Sequence, residues 1–463
     1  MSRIPRPLGE TKIGWEDRAL SELLGLTWPI VVSMLSYSVM TLVDTFFVGR
    51  LGASALAGVG LGGTLAFTLL CFGIGLLRAV KVLVAQALGA GRSHEQARSY
   101  LGAGIVLGLA FGSLAFVLAV GSTFILADLT EGRSGALASA YLIIRMSVSP
   151  LVLAFYALQE HRQGIGDARS PMIAAVLANV ANIGLDYLCI VELGWGVEGA
   201  AWASAAAHLV SLLYLLLWQR SEGFGLRGLE RARIVEVFRL GLPIGAEFIL
   251  EMGAFLVLAL VIAGMGEIEM AAHQVALQVL HFGFLPGVAI SEATSILVGQ
   301  VVGASRIDLV RRVSFLGLGV GLSYAMIFTF VLVFGAWEIA ATFSVDPLVI
   351  QGAVVLLWLG GGFQLLDAAN MVARGVLRGA GDVRYIALVG ITSSWLTMPP
   401  LALLLGVHLR MGALGGWLGL ALAIGVGALL FWRRLLRGEY RPAAEASARR
   451  QQALLEAALV AAE

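Results

Sequence analysis

Residues 164–169 read Gly164-Ile165-Gly166-Asp167-Ala168-Arg169, and residues 379–384 read Gly379-Ala380-Gly381-Asp382-Val383-Arg384, 215 positions further on. Outward from these two runs the spacing holds. Trp202 and Trp417 share it. At 214 positions Pro29 matches Pro243, Gly52 matches Gly266, Gln86 matches Gln300, and Gly89-Ala90-Gly91-Arg92 matches Gly303-Ala304-Ser305-Arg306. Chance rarely keeps one offset over so much of a chain, so the sequence is an internal repeat. Each copy holds an even number of the apolar runs described next, so both copies insert the same way up. That makes a parallel repeat, with its pseudo-two-fold axis along the membrane normal.

Of the 463 residues, 59% are hydrophobic and only 13% charged, with a mean hydropathy of +0.89. A soluble globular chain carries about 25% charge. Too little polar surface remains to cover soluble cores, so the chain belongs in a bilayer. Twelve runs are long and apolar enough to span it: 23–49, 55–84, 101–127, 136–158, 171–193, 197–218, 240–264, 270–300, 313–337, 348–373, 386–406 and 412–432. They are apolar on every face and lack barrel-type alternation, which leaves helices to satisfy the backbone. The expected fold is an all-α integral membrane protein of twelve transmembrane helices in two six-helix bundles. A cytoplasmic N-terminal segment (1–22) precedes the first bundle (23–218). A basic linker (219–239) leads to the second bundle (240–432), and a cytoplasmic tail (433–463) follows, its Ala-rich stretch reading as a soluble, dispensable helix.

Of the 31 Lys and Arg residues, 25 fall in the N-terminus, the even-numbered loops and the tail. Only Arg50, Arg133 and Arg410 fall in the odd-numbered loops, which carry acids such as Asp128, Glu131, Glu267 and Glu269. The positive-inside rule puts both termini in the cytoplasm. Net charge +1 gives no footprint for nucleic acid. Cys71 and Cys189 cannot build a disulfide framework or a metal cluster.

Charge inside the spans is where function is expected, because an ionisable group deep in a bilayer costs about 2.5–3.5 kcal/mol on insertion scales. Asp44, Asp186 and Ser204 all fall roughly 10 Å inside the outer end of their helices by helical rise. Asn182 lies one turn before Asp186, on the same face. Two carboxylates, an amide and a hydroxyl at one level make a hard-oxygen site for Na⁺, or for a proton shared between the acids. In the second half, Glu251 and Asp367 are expected to bind ion or substrate, both pointing inward to water or a partner, with Asp367 read as a solvated or ion-bound carboxylate. Arg374, two turns beyond Asp367, is read as too distant to pair with it. Glu292 and Glu247 are candidates for the same task or for neutralising the buried cations Arg78, Lys81 and Arg145; for Lys81 the simplest expectation is snorkelling to the inner face. Gln274, beside His273, is a possible site residue, although the pair reads first as helix packing. A Gly58-x-Gly60-x-x-Gly63 run lacks the strand–helix context of a dinucleotide site, and Gly104-x-x-x-Gly108-x-x-x-Gly112 reads as close helix packing.

The runs Val43-Asp44-Thr45-Phe46-Phe47-Val48-Gly49-Arg50-Leu51-Gly52 and Ala85-Gln86-Ala87-Leu88-Gly89-Ala90-Gly91-Arg92 carry a specific signal. So do Gly241-Leu242-Pro243-Ile244 ahead of Glu251, Ala271-Ala272-His273-Gln274, Val298-Gly299-Gln300, and Phe363-Gln364-Leu365-Leu366-Asp367 running on to Arg378-Gly379-Ala380-Gly381-Asp382. Together, over about residues 20–435, they resemble the multidrug and toxic compound extrusion (MATE) family, in its bacterial drug-exporting branch. The resemblance implies a V-shaped twelve-helix fold. It also implies export of amphipathic, often cationic small molecules driven by influx of Na⁺ or H⁺, with no other cofactor. It places Asp44, Asn182 and Asp186 in the family's cation site, with Ser204 where a threonine is usual. Glu251 and Asp367 align with the drug-exporting branch's acids, and Phe363 stands where some members carry a tyrosine. The expected protein is a monomeric antiporter in contact with membrane lipid, not an enzyme. The rivals are a lipid-linked oligosaccharide flippase of the same superfamily, which needs a cationic cavity, and an intramembrane enzyme, which needs a catalytic pair that no motif here supplies.

Overall fold

A computed structural model describes residues 13–129 and 133–460, without the side chains of residues 125, 127–129 and 133. The charges at Arg3, Arg6, Lys12, Asp128, Glu131 and Arg133 that entered the orientation argument lie outside the described side chains. Among the described residues all regular structure is helical. Helices α1 (Ala19–Gly49), α2 (Ala53–Gly89), α3 (His94–Leu129), α4 (Arg133–Ser147), α5 (Ser149–Gly164), α6 (Arg169–Asp186) and α7 (Gly196–Gln219) form the first half. The second half holds α8 (Arg231–Ala263), α9 (Glu267–Gly303), α10 (Val310–Phe334), the short α11 (Ala336–Phe343), α12 (Pro347–Gly379), α13 (Val383–Leu401) and α14 (Ala413–Leu436), and α15 (Arg441–Val460) ends the chain.

Among the described residues eleven helices are long and apolar enough to cross a membrane, and the run expected at 136–158 is a bent pair, α4 and α5, meeting at 50°. Pro150 stands at the start of α5 and has no N–H to give α4, which explains the break. Large apolar side chains lie exposed along the spans, among them Val180, Leu256, Leu260, Ile327, Phe330 and Leu396. Water would make that surface an aggregation hazard, whereas lipid solvates it. The chain is a multi-pass, all-helical membrane protein.

Internal contacts group the chain into two units. One comprises Trp28–Leu88 and Arg92–Ile249; the other comprises Leu250–Glu463 with Gly89–Gly91 and Met1–Thr27, so far as those residues are described. In the first unit α3 packs on α5, α6 on α7 and α4 on α7. The glycines of the Gly104/Gly108/Gly112 stripe do bring backbones together: a methyl group on Gly108 would lie 2.9 Å from the Leu153 carbonyl. Residues 231–239, the end of the expected linker, are the first turns of α8, and farther along a methyl group on Gly75 of α2 would lie 2.8 Å from the Gly245 Cα. In the second unit α12 packs on α9, α10 and α14. Trp417, fully buried, shares one apolar core with Phe363, Leu357, Ala353, Leu258 and Ile262.

The repeat is visible in local geometry. The backbone passes into a π-helical turn at Tyr187–Glu192 after α6, and again at Ala402–His408 after α13. Gly166 and Gly381 both sit in the left-handed region, at φ +90° and +84°, in the turns after α5 and α12. Those turns need glycine because an L side chain there strains the backbone. The repeated aspartate that follows is pinned each time by an arginine, but from different places. Arg162 donates to Asp167 at 2.9 Å, and Arg434 holds Asp382. Burial opposes the charge on Asp167, but hydrogen bonds from the Ser170 hydroxyl and backbone and from Arg162 outweigh it and hold the carboxyl below its ordinary range.

Gly164 and Gly379, just before these turns, are repeat mates in packing as well. A methyl on Gly164 would lie 2.9 Å from the Lys81 carbonyl and 2.9 Å from Val84; one on Gly379 would collide with the Ser295 carbonyl and lie 2.9 Å from Val298. Gly379→Ala is therefore expected to push α12 off α9 and to destabilise the unit by about 1–3 kcal/mol, read as a lower unfolding temperature in detergent. An unchanged unfolding temperature would mean that the two helices do not need this closeness.

The tail is less independent than its composition suggests. On α15 Gln451 is fully buried, and Gln452 donates to the Ser305 hydroxyl at 2.8 Å. Near the N-terminus Trp15 donates to Gln300 at 2.5 Å, and Glu16 pairs with Arg306 at 3.3 Å. The Trp15–Glu16 segment and α15 thus both fasten to the end of α9 and the turn that follows it.

Candidate functional site

In the first unit the structure gathers Asp44 from α1, Asn182 and Asp186 from α6, and Ser204 from α7, all buried. Asp186 is the last residue of α6, at the entry to the π-helical turn. Ser204 donates its hydroxyl to Asp44 Oδ2 at 2.8 Å. The Asp44 and Asp186 carboxyls are near enough to share a hydrogen bond, and the Arg145 charge acts on Asp186. Five polar atoms of this cluster are buried with no hydrogen-bond partner among the described residues: Asp44 Oδ1, both Asp186 oxygens, and both amide atoms of Asn182. Ionised carboxylates only accept, so two of them facing each other need a proton or a cation between them. Leaving buried polar groups unsatisfied costs roughly 1–3 kcal/mol each, and more where charged.

Behind this cluster lies a second layer. His208, one turn after Ser204, approaches the Ser204 carbonyl through Nδ1 at 2.8 Å. Arg145 lies 3.4 Å from that same nitrogen, and Tyr37 stacks on the ring. Tyr141, one turn before Arg145 on α4, brings its hydroxyl to Ser204. Sequence reasoning missed Tyr141 and His208. The signal was present as four-residue spacing: Tyr141 with Arg145, and Ser204 with His208, each share a helix face.

In the second unit Glu251 of α8 is not an open carboxylate. Arg374 of α12 forks onto it, Nη1 to Oε2 at 2.9 Å and Nη2 to Oε1 at 2.7 Å. Glu251 was expected to face water or a partner, and the partner is Arg374; the distance along α12 that separates Arg374 from Asp367 says nothing about a partner on another helix. Asp367 is buried, two turns before Arg374. Phe363 sits in the apolar core against Trp417, with ring centroids 6.2 Å apart.

Two further expectations change. Lys81 does not snorkel; it is 1% exposed and pairs with Glu160 of α5 at 2.7 Å, with Gln163 accepting a second bond at 3.2 Å. Glu292 pairs with Arg378 of α12 at 3.2 Å. These two pairs join repeat-equivalent helices, α2 to α5 and α9 to α12, with the charges exchanged. Glu247 is buried and Gln274 is exposed. His273 accepts a hydrogen bond from the Trp417 indole at 3.0 Å, as a packing pair should. Among the described residues no three His, Cys, Asp or Glu side chains cluster as a metal-binding group, so any ion at Asp44 and Asp186 relies on neutral oxygens as well.

The MatE family model matches residues 29–188 and again 243–404, one match in each copy of the repeat. The chain belongs to the MatE family. Similar MatE relatives include a probable multidrug resistance protein NorM of Pseudomonas syringae pv. tomato, 32% identical across 90% of this chain and 96% of its own. A probable NorM of Deinococcus radiodurans is 32% identical across 94% and 98%. Among solved structures a eukaryotic MATE transporter superposes with a TM-score of 0.86 at 19% identity, over 94% of this chain and 99% of its own. An outward-facing multidrug resistance MATE family transporter gives 0.84 at 21%, over 92% and 97%. At such identities these two likenesses concern the MatE fold alone.

Proposed function

We propose that this protein is a cation-coupled antiporter that exports amphipathic, cationic small molecules by alternating access. Its setting is the cytoplasmic membrane of a bacterium, with both termini inside, and it works as a monomer. The observation that carries the reading is the cluster of five buried, unpartnered polar atoms on Asp44, Asn182 and Asp186. Such a cluster is stable when a proton or a hard monovalent cation joins it, and unstable when both acids are charged and alone. Binding that ion and binding a cationic substrate relieve the same negative charge, so each lowers the chain's affinity for the other, and that differential is what coupling requires. Relatives named as probable multidrug resistance proteins support export of drug-like compounds.

The test is transport by purified protein in liposomes loaded with a fluorescent organic cation, with Na⁺ and H⁺ gradients imposed separately. One of the two gradients is expected to drive dye movement. Dye movement in neither gradient, with folded protein inserted, would sink the proposal.

A further inference from the structure

Helices α10 and α14 both pack on α12. The first turns of α10 and the last turns of α14 come together there, with the Phe315 and Trp432 rings 5.7 Å apart. Trp432 is fixed from behind, because its indole donates to the Ala369 carbonyl of α12 at 2.9 Å. Beside these two rings opens a crevice, lined further by Arg311 and Ser314 of α10, Leu436 of α14, and Tyr440 in the turn before α15. The exposed Arg311 guanidinium lies 5.7 Å from the centre of the Phe315 ring. Phe315 is 45% exposed and Leu436 55%. Leu429 and Leu422 precede Leu436 at seven-residue intervals and are exposed too, so one apolar stripe runs from the crevice along the span.

The surroundings of the crevice are basic. Residues 306–315 and 431–441 hold seven arginines and two acids, Asp308 and Glu439. Two more acids, Glu16 and Asp382, reach these arginines from elsewhere. All four are already against Arg306, Arg434 or Arg437: Asp308 and Glu16 on Arg306, Asp382 on Arg434, and Glu439 between Arg434 and Arg437. Among the described residues none of the four forms an ion pair with Arg311, the arginine that lines the crevice. The repeat supplies a comparison. Leu101 of α3 is the mate of Phe315 at 214 positions, and Gly102 beside it receives the linker: a methyl on Gly102 would collide with the Gly225 carbonyl, and one on Gly225 with the Arg98 carbonyl. Backbone thus covers the start of α3 in the first unit. In the second unit the chain after α14 turns at Tyr440 and runs as α15 to α9, which leaves Phe315 exposed at the start of α10.

We propose that this crevice is a binding site for an anionic diacyl phospholipid, with the headgroup phosphate at Arg311 and an acyl chain along Leu436, Leu429 and Leu422. The chemistry matches at both ends. A guanidinium offers a phosphate several donors at once, aromatic rings favour the headgroup level of a bilayer, and basic pockets between spanning helices are where anionic headgroups bind. A zwitterionic lipid would use the leucine stripe but gain little from the excess of arginines. A small free anion would use Arg311 and leave the stripe unused. The bound lipid would bridge α10 and α14 in front of α12 and so stabilise the second unit. None of this depends on which ion or substrate the protein transports.

The experiment titrates delipidated, purified protein in detergent with phosphatidylglycerol, phosphatidylcholine and inorganic phosphate, each separately. Native mass spectrometry reads the affinity of the first molecule bound, and thermal unfolding is recorded alongside. Wild type is expected to bind phosphatidylglycerol at least about fivefold more tightly than phosphatidylcholine, and phosphatidylglycerol should raise its unfolding temperature. Arg311→Gln should weaken phosphatidylglycerol about fivefold, the size of one cationic side chain at a membrane surface, and leave phosphatidylcholine unchanged. Leu436→Asn should weaken both lipids alike, by a few-fold. Arg449→Gln removes an exposed arginine of α15 that does not line the crevice and should change neither. Equal affinity of wild type for the two lipids overturns the proposal. So does an unchanged phosphatidylglycerol affinity in Arg311→Gln, or an equal loss in Arg449→Gln, which would mean diffuse charge and no built site. Inorganic phosphate binding as tightly as the lipid, and lost in Arg311→Gln, would assign the crevice to a small anion and overturn the lipid reading. Should Arg311→Gln fail to fold, Leu436→Asn decides: unchanged affinity for both lipids there overturns the proposal.

Discussion

Asp186→Asn is expected to leave the chain folded while reducing ion-driven efflux by on the order of 100-fold or more, given that even groups supporting an ion's ligands cost 10–100-fold when removed. The amide is nearly the same size as the carboxyl and carries a donor. It can give Asp44 Oδ1, which has no partner among the described residues, the hydrogen bond that a shared proton would supply. The variant is thus frozen in the state with that acid neutralised. A protein that cannot alternate between charged and neutral forms of the pair loses the differential affinity that links ion to substrate. Ser204→Ala should be milder, because it removes one neutral hydroxyl from Asp44 and leaves both acids in place. The measurement is dye efflux from liposomes at equal amounts of folded, inserted protein. Efflux in Asp186→Asn within a factor of two of wild type would remove the pair from the coupling chemistry.

A large effect on stability, with a different cause, is expected at Lys81. Its ammonium and the Glu160 carboxylate are both almost fully enclosed, 2.7 Å apart, where α2 meets α5. Lys81→Met fills the space but leaves the buried Glu160 carboxylate without its cation. Breaking a buried pair from one side costs about 3–5 kcal/mol. The double variant Lys81→Met with Glu160→Met removes both charges and should recover most of the loss, because a buried pair is often worth no more than well-packed apolar side chains. Unfolding temperatures of the four members of this cycle, measured in one detergent, decide the matter. If the double variant is as unstable as Lys81→Met, the cost lies in packing or in Gln163 and not in the unpaired charge.

How far the sequence could be read depends on the kind of interaction involved. Span number, the repeat and the level of Asp44, Asn182, Asp186 and Ser204 follow from distances along one helix, and those are set by a rise of about 1.5 Å per residue whatever the neighbours. The first cluster was legible for that reason: its members fall at one depth, and only their facing inward needed the fold. The pairing of Glu251 with Arg374 was not legible. Arg374 stands in sequence among cytoplasmic arginines, and counting residues along α12 could compare it only with Asp367; the partner came from α8, 123 positions away. Lys81 shows the same limit, since a lysine near a helix end snorkels or pairs according to what the next helix offers, and here α5 offers Glu160. Phe363 stands one turn before Asp367 and was read with it, yet its ring fills the core at Trp417.

By itself, then, the sequence determined that this is a repeated, all-helical membrane protein with costly acids in its spans, because lipid imposes apolar length, internal hydrogen bonding and a penalty on charge whatever the packing. Only the tertiary structure decided which acids stand without a partner and which are already neutralised. Asp44 and Asp186 face each other, while Glu251 and Glu292 each hold an arginine. The physical reason is that a charge's partner is chosen by helix packing across the bundle, where side chains far apart in the chain come within 3 Å, and no spacing along one helix encodes that choice.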